Sequence, residues 1–159
     1  MKTYLTPEDI GNLISHSGCQ RNRVLLLILW TTGIRVSELA NIKVDDFDPD
    51  TNTLIIRHLK SKSKTERFRQ VPLRGDVSKE LKNFIMGKSS EDFAISHSGS
   101  KQRDRRIFPI HPNNINMMIR SVAKYAGLEG KVLMHPESHR KHYISAHKFR
   151  DALAVHWLK

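Results

Sequence analysis

Cysteine is almost absent from this sequence, since Cys19 is the single one among 159 residues. An internal disulfide is therefore excluded, and a reducing, cytoplasmic compartment suits the chain. Long apolar runs are also missing: the run from Val24 to Trp30 has seven residues, whereas a membrane-spanning helix needs about 20. The segment Met1–Tyr4 has no apolar signal-peptide core. We predict a cytoplasmic protein without a membrane partner.

Acidic residues are scarce relative to basic ones. The chain has 16 Asp and Glu against 27 Lys and Arg, which gives a net charge of +11 and a pI near 10.0. A length of 159 residues fits one domain with its own core. So large a positive excess in so small a domain favours a polyanionic partner, with a merely soluble basic surface as the alternative.

Helical signals dominate the first forty residues. Thr6–Asp9 reads Thr-Pro-Glu-Asp, the order of a capping residue, a first-turn proline and two acids, and we expect the helix that it opens to end at Gly18. The next helix, roughly Gln20 to Thr32, carries the apolar run and is predicted to be buried nearly all round. Gly33 can then turn the chain, which leaves Arg35 at a corner between two helices.

The middle of the chain predicts a small sheet between further helices. Thr53–Leu59 and Phe68–Leu73 are β-rich and flank a charged connection, which indicates an antiparallel hairpin with a basic tip. We expect Asp76 to cap a helix, Ser96–Arg106 to be a mobile loop, and Asn113–Ala126 to be helical. The predicted fold class is mainly α with a small antiparallel β-hairpin or three-stranded sheet (α+β).

Two motifs in this order carry a family resemblance. The first, over Thr32–Leu39, reads Thr-Gly-Ile-Arg-Val-Ser-Glu-Leu, and the second, over His147–Arg150, reads His-Lys-Phe-Arg. Together they resemble the tyrosine recombinases, the phage-integrase family of DNA strand-exchange enzymes, over the stretch from Leu5 to Leu158. The resemblance implies a recombinase catalytic-domain fold and cleavage and rejoining of DNA through a 3′-phosphotyrosyl intermediate. It implies double-stranded DNA and further recombinase protomers as partners, and no metal, nucleotide or other cofactor.

The resemblance assigns catalytic roles to residues of both motifs. Arg35 and Arg150 match the two arginines of the family, and two guanidinium groups can each bind non-bridging phosphate oxygens in a bidentate manner. His147 matches the histidine that takes or shares a proton at the nucleophile or the phosphate. Glu38 matches the acidic residue that orients the site from behind, and the alternative for it is an ordinary amphipathic-helix residue.

The family also has a lysine in the hairpin, which protonates the leaving 5′-hydroxyl group. Lys60, Lys62 and Lys64 compete for this role, and counting back from Val71-Pro72-Leu73 favours Lys64. Alternatively, all three lysines only contact the DNA backbone. With Lys64 as the catalytic lysine, the residues predicted to contact DNA are Lys60, Lys62, Arg67, Arg140, Lys141 and Lys148.

The sequence departs from the family at both ends. No second, DNA-clamping domain precedes Leu5, and the chain ends at Lys159, before the place where the nucleophilic tyrosine is expected. Tyr143 lies close to His147, but the family order, in which the nucleophile follows the His–Arg motif, argues against it. We therefore expect residues 1–159 to be one catalytic core domain that is truncated at its C-terminus, lacks a nucleophile and is inactive alone. The alternative is an inactive DNA-binding relic or regulator derived from a recombinase.

Metal and nucleotide chemistry are weaker alternatives. Four histidines crowd together at His135, His139, His142 and His147. Pro136 argues against a regular helix that carries a histidine pair as metal ligands. The preferred interpretation, with no metal, is a basic loop that contacts phosphate and consists of His139, Arg140, Lys141 and His142. Met86–Ser90 resembles the end of a P-loop, but Lys82 occupies the position of its first glycine, which excludes that motif.

Overall fold

The computed structural model describes residues 4–58, 67–88, 105–128, 133–134 and 141–158. Within these residues the elements are α1 (Pro7–Ser15), α2 (Gln20–Thr32), α3 (Val36–Ala40), a 3₁₀ turn (Val44–Asp46), β1 (Phe47–Asp48), β2 (Thr53–Arg57), β3 (Phe68–Pro72), α4 (Gly75–Met86), α5 (Pro112–Tyr125), β4 (Leu133–Met134), β5 (Lys141–His142) and α6 (Ala146–Leu158). The predicted class, mainly helical with a small antiparallel sheet, is confirmed. None of the helices in these ranges has the length and apolarity to cross a membrane.

The chain divides into two compact units. The first consists of Met1–Val36 and His111–Lys159, and the second of Ser37–Ile110. The first unit therefore contains α1, α2, α5 and α6, while the second contains the three-stranded sheet and α4. The prediction that residues 1–159 form one domain stays a prediction.

The first two helices of the first unit begin where their sequence signals predict. The predicted end of α1 at Gly18 was wrong, because the backbone already leaves the helical conformation at His16 and the helix ends at Ser15. Thr6 and Asp9 form a reciprocal capping box at α1, with the hydroxyl accepting from the Asp9 N–H at 3.1 Å and the carboxylate accepting from the Thr6 N–H at 3.0 Å. Helix α2 has the predicted bounds, Gln20–Thr32, and all of its buried side chains belong to its apolar run. These are Val24, Leu25, Leu26, Ile28 and Leu29.

The other two long helices of the first unit are capped by side chains. The ring of His111 accepts a hydrogen bond through Nδ1 from the Asn113 N–H at 3.2 Å, and α5 begins between them at Pro112, one residue before the predicted start. At α6, the side-chain oxygen of Asn116 accepts from the Ala146 N–H at 3.1 Å. Because the first N–H groups of a helix have no intrahelical acceptor, Asn116 of α5 satisfies a group that α6 cannot.

A short strand pair in the first unit was not predicted. Leu133–Met134 and Lys141–His142 pair antiparallel as β4 and β5. The sequence predicted a basic loop at Lys141 and His142, and this was wrong for their backbone. Two-residue strands carry too few side chains for an alternating pattern to be recognised.

The second unit contains the predicted hairpin. Strands β2 and β3 pair antiparallel in a register that places Ile56 opposite Arg69, and β1 adds a third strand alongside β2. Leu54 and Ile56 are buried on one face of β2, as the period of two requires. The expected basic tip lies outside the described residues from 59 to 66.

The start of α4 differs from its prediction. The helix begins at Gly75, and its N-cap is Arg74, so the prediction of Asp76 as the cap was wrong. The physical reason is that the Asp76 carboxylate binds the side chain of the N-cap residue, because the Arg74 guanidinium donates to both of its oxygens, at 3.1 and 2.6 Å. The same hydrogen bonds lower the pKa of the Asp76 carboxyl from its ordinary value.

The predicted mobile loop, Ser96–Arg106, is described only at its last two residues, and there it is paired. The carbonyl of Arg105 accepts from the Val44 N–H at 2.9 Å, and the Ile107 N–H donates to the Ile42 carbonyl at 2.8 Å. Arg106 forms the corresponding β-bridge with Lys43. The loop prediction was therefore wrong for this end, where the adjoining Ile107 is fully buried and anchors the backbone.

Candidate active site

Arg35 lies at the predicted corner between two helices. Helix α2 ends at Gly33, whose φ of 65° is left-handed and whose N–H donates to the Leu29 carbonyl at 3.1 Å. Helix α3 begins at Val36, so Arg35 falls in the turn, and it is exposed. A left-handed residue at a helix C-terminus favours glycine, and this preference fixes where the chain turns before Arg35.

Gly33 also lets α6 approach the end of α2 closely. A Cβ atom at Gly33 would lie 3.0 Å from Leu153 Cδ2 and 4.0 Å from Arg150 Cγ. Further along the same helix pair, the rings of Trp30 and His156 lie 5.9 Å apart between centroids. The stem of Arg150 therefore lies beside the turn that leads to Arg35, although the two residues are far apart in sequence.

His147 lies in the first turn of α6, on the exposed part of the helix. Its side chain is 70% exposed, and its Nε2 atom lies 3.4 Å from Oδ1 of Asp151, one helical turn on. The other carboxylate oxygen of Asp151, Oδ2, lies 3.4 Å from the Lys148 ammonium. One carboxylate is thus shared between a histidine of the predicted site and a lysine.

Lys148 is an unusual member of this group because it is only 8% exposed. Buried lysines in proteins are rare unless a carboxylate pairs with them, and Asp151 is such a partner here. The sequence predicted a DNA contact for Lys148. That role stays a prediction, and the burial of its side chain weighs against it.

In the second unit, Glu38 forms a buried ion pair. The residue is 5% exposed, and Arg69 on β3 donates to its two carboxylate oxygens at 2.6 and 3.1 Å. The Arg69 Nη1 atom also lies 3.5 Å from His58 Nε2. This bidentate pair joins α3 to the base of the hairpin. The orienting role predicted for Glu38 stays a prediction.

Several of the basic residues predicted to act on or contact DNA lie outside the described residues. Lys60, Lys62, Lys64 and Arg140 lie outside the described residues, and of Lys141 only the backbone is described, in β5. Arg67 is exposed, and its carbonyl accepts from the His58 N–H at 2.9 Å, the last described hydrogen bond before the tip. Tyr143 is 67% exposed.

No set of three or more metal-binding side chains occurs within the described part of the chain. His135 and His139, on which the metal alternative depended, lie outside it. The preference for a metal-free site therefore stays a prediction from the sequence.

Three side chains with site contacts were missed by the sequence analysis: Asp151, Asn116 and Arg69. The spacing of Asp151, four residues after His147 and three after Lys148, is the helical neighbour spacing and could have identified it. Asn116 and Arg69 reach residues that are distant in sequence, and nothing in their local pattern indicates such a partner.

Comparison with known proteins identifies the family. The chain matches the Phage integrase family over residues 3–159. A tyrosine recombinase of Pseudothermotoga lettingae is 31% identical over 157 residues, which is 96% of this chain and 49% of the relative. Tyrosine recombinase XerA of Thermococcus kodakarensis is 25% identical over 158 residues, which is 98% of this chain and 48% of that protein.

Solved structures show the same fold. A crystal structure of XerA recombinase has a TM-score of 0.69 and 24% identity, covering 99% of this chain and 51% of that one. The Tn1549 transposon integrase, solved with a circular intermediate DNA, has a TM-score of 0.68 and 17% identity, covering 98% and 53%. The chain spans about half the length of the curated relatives it matches. Because the family match extends over nearly all of its residues, this chain belongs to the phage integrase family.

Proposed function

We propose that residues 1–159 form one catalytic core domain, which binds the scissile phosphate of duplex DNA for tyrosine-type cleavage and rejoining. The observation that carries the proposal is the approach of α6 to α2 at Gly33, with Arg150 Cγ 4.0 Å from a Cβ atom built there. This approach brings the second arginine of the family pattern beside the turn that leads to the first, Arg35. Each guanidinium group can bind an anionic phosphate in a bidentate manner.

The proposed chemistry follows the family resemblance. A tyrosine hydroxyl attacks the phosphorus atom, a 3′-phosphotyrosyl bond forms, and the bond to the 5′-oxygen breaks. Arg35 and Arg150 stabilise the negative charge that develops on the non-bridging oxygens. His147 takes or shares the proton at the nucleophile or phosphate, and Lys64 protonates the leaving 5′-oxygen. The resemblance assigns to Glu38 the role of orienting the site.

Duplex DNA and further protomers are the proposed partners, and the cytoplasm is the proposed location. The net charge of +11 supports a polyanion. Two solved relatives of similar fold contain DNA: the Tn1549 integrase is bound to circular intermediate DNA, and XerH recombinase is bound to difH substrate. Proposed backbone contacts are Lys60, Lys62, Arg67, Arg140 and Lys141; Lys148, the sixth contact predicted from the sequence, is disfavoured by its burial.

The phosphate site can be tested by titrating the chain with inorganic phosphate. Arg35→Ala and Arg150→Ala should each weaken phosphate binding at least about tenfold, because each removes a charge-assisted bidentate contact. Arg21→Ala is the matched control, since Arg21 is an exposed arginine in the first turn of α2 that hydrogen-bonds to Asn22. Equal losses in all three variants would indicate binding by net charge alone and would contradict the proposed site.

A further inference from the structure

The carboxylate of Asp151 makes two contacts through different oxygens. Its Oδ2 atom lies 3.4 Å from Lys148 Nζ, and its Oδ1 atom lies 3.4 Å from His147 Nε2. All three residues belong to α6, at positions three and four apart, so the helix itself sets their spacing. The carboxylate lies between a buried cation and an exposed imidazole.

Lys148 fixes the orientation of that carboxylate. The Lys148 side chain is 10% exposed, whereas that of His147 is 70% exposed. A buried ammonium group is costly unless an opposite charge compensates it, and the Asp151 carboxylate lies within 3.4 Å of it. Because an ammonium group has three donors and no acceptor, Lys148 also binds one Asp151 oxygen, Oδ2, as a donor. The other oxygen, Oδ1, faces the histidine.

A histidine nitrogen that faces a carboxylate oxygen must carry a proton to interact favourably. We propose that Asp151 is a positioning residue that holds the His147 proton on Nε2. Nδ1 is thereby the ring nitrogen available to the reacting phosphate or nucleophile. The tautomer of a neutral imidazole is set by the hydrogen bond that its other nitrogen makes, and an acidic partner on one nitrogen serves this purpose in several enzyme classes.

This inference rests on the proposed function for its consequence at the phosphate, but the tautomer itself can be measured without activity. At 3.4 Å the His147–Asp151 contact is longer than an ideal hydrogen bond. Such contacts are often long before substrate binds and shorten in the complex. Asn116 limits movement of the first turn, because its side chain holds the Ala146 N–H at 3.1 Å.

The decisive variant is Asp151→Asn, studied by ¹⁵N NMR of histidine-labelled protein at a pH where the ring is neutral. Lys148 can only donate, so it should retain the amide oxygen, which turns the amide NH₂ toward His147. Nε2 must then accept, and the majority tautomer should change from Nε2–H to Nδ1–H. A His147 tautomer that stays on Nε2 in this variant would overturn the inference, since a purely structural Asp151 predicts no change.

The double variant Lys148→Met with Asp151→Asn is the matched control. Without the ammonium group the amide can rotate and offer its oxygen to Nε2, so the Nε2–H tautomer should return; persistence of Nδ1–H would contradict the proposal. His111 is an internal reference, because its Nδ1 accepts from the Asn113 N–H at 3.2 Å and its proton should stay on Nε2 throughout.

A second measurement covers the case in which Asp151→Asn does not fold. Lys148→Met keeps the carboxylate, whereas Lys148→Met with Asp151→Ala removes it without leaving a buried unpaired charge. Exchange of the His147 Hε2 proton with water should be roughly five- to tenfold faster in the double variant, since the carboxylate that faces this proton is lost. Equal exchange rates would refute the contact.

Addition of a duplex oligonucleotide separates this inference from the proposed function. In the wild-type chain we expect DNA to shift the Nδ1 resonance of His147 more than that of Nε2. If DNA shifts neither nitrogen while Asp151→Asn still inverts the tautomer, the phosphate role of His147 fails and the role of Asp151 stands. If DNA shifts Nδ1 but the tautomer does not invert, the role of Asp151 fails and the proposed function stands.

Discussion

Replacement of Gly33 by alanine tests the approach of the two helices that carries the proposed function. The φ of 65° imposes a left-handed conformation that costs an alanine about 1 kcal/mol. The new Cβ would also lie 3.0 Å from Leu153 Cδ2, short of the roughly 3.5–4.0 Å that carbon atoms prefer. Such overpacking costs about 1–3 kcal/mol. The free energy of unfolding should therefore fall by about 2–4 kcal/mol.

The control is Gly127→Ala. Gly127 has a similar φ of 73°, but nothing lies within 4 Å of a Cβ built there, so only the backbone cost of about 1 kcal/mol applies. Urea unfolding measures the loss of unfolding free energy in both glycine variants. Adding Leu153→Ala to Gly33→Ala should recover part of the additional loss at Gly33, and a double-mutant cycle quantifies that recovery. Equal losses for the two glycine variants would refute the close approach of α6. Phosphate binding should weaken in the Gly33 variant alone, because only there is Arg150 displaced.

Further outcomes follow from other contacts. Arg69→Met should lower the free energy of unfolding in urea by about 2–4 kcal/mol, because it removes the two hydrogen bonds that Arg69 donates to buried Glu38. Arg74→Met, which breaks an exposed pair, should lower it by less than about 1 kcal/mol. Asn116→Ala should cost about 1 kcal/mol in the same assay through loss of a helix cap. Affinity for duplex DNA, measured by fluorescence anisotropy, should fall steeply with salt, and an affinity that persists in high salt would contradict phosphate-dominated binding. The chain alone should give no covalent adduct with a nicked suicide duplex on a denaturing gel; an adduct that Tyr143→Phe abolishes would make Tyr143 the nucleophile.

The parts of the fold that were predictable have local causes. Helix α2 was predicted with its observed bounds because an apolar run and a turn-forming glycine lie next to each other in sequence. The pairing of β2 with β3 was predicted because both strands are β-rich and a polar connection separates them. In each case a few consecutive residues determine the outcome, which is the situation in which sequence patterns are informative.

The parts that were missed depend on competition or on distant partners. Asp76 has the residue type of a helix cap, but Arg74 engages its carboxylate instead. The bidentate pair of Glu38 with Arg69 joins α3 to β3, and no local pattern reveals a partner so far away in sequence. Of the candidate site, the two motifs indicated Arg35, His147 and Arg150. Asp151 was missed, although its spacing from His147 and Lys148 is that of neighbours on one helix face.

The division of the first unit between the two ends of the chain has a consequence for biosynthesis. Residues 37–110 form a contiguous unit and can fold as soon as they leave the ribosome, while α1 and α2 must wait for His111–Lys159. Until then the end of α2, where Trp30 and Gly33 lie beside α6, lacks this neighbour. Joining the two parts of the first unit also closes a loop as long as residues 37–110, and the entropic cost of this closure slows folding. We therefore expect the nascent chain to depend on chaperones at this stage, and premature termination before α6 to yield an aggregating product.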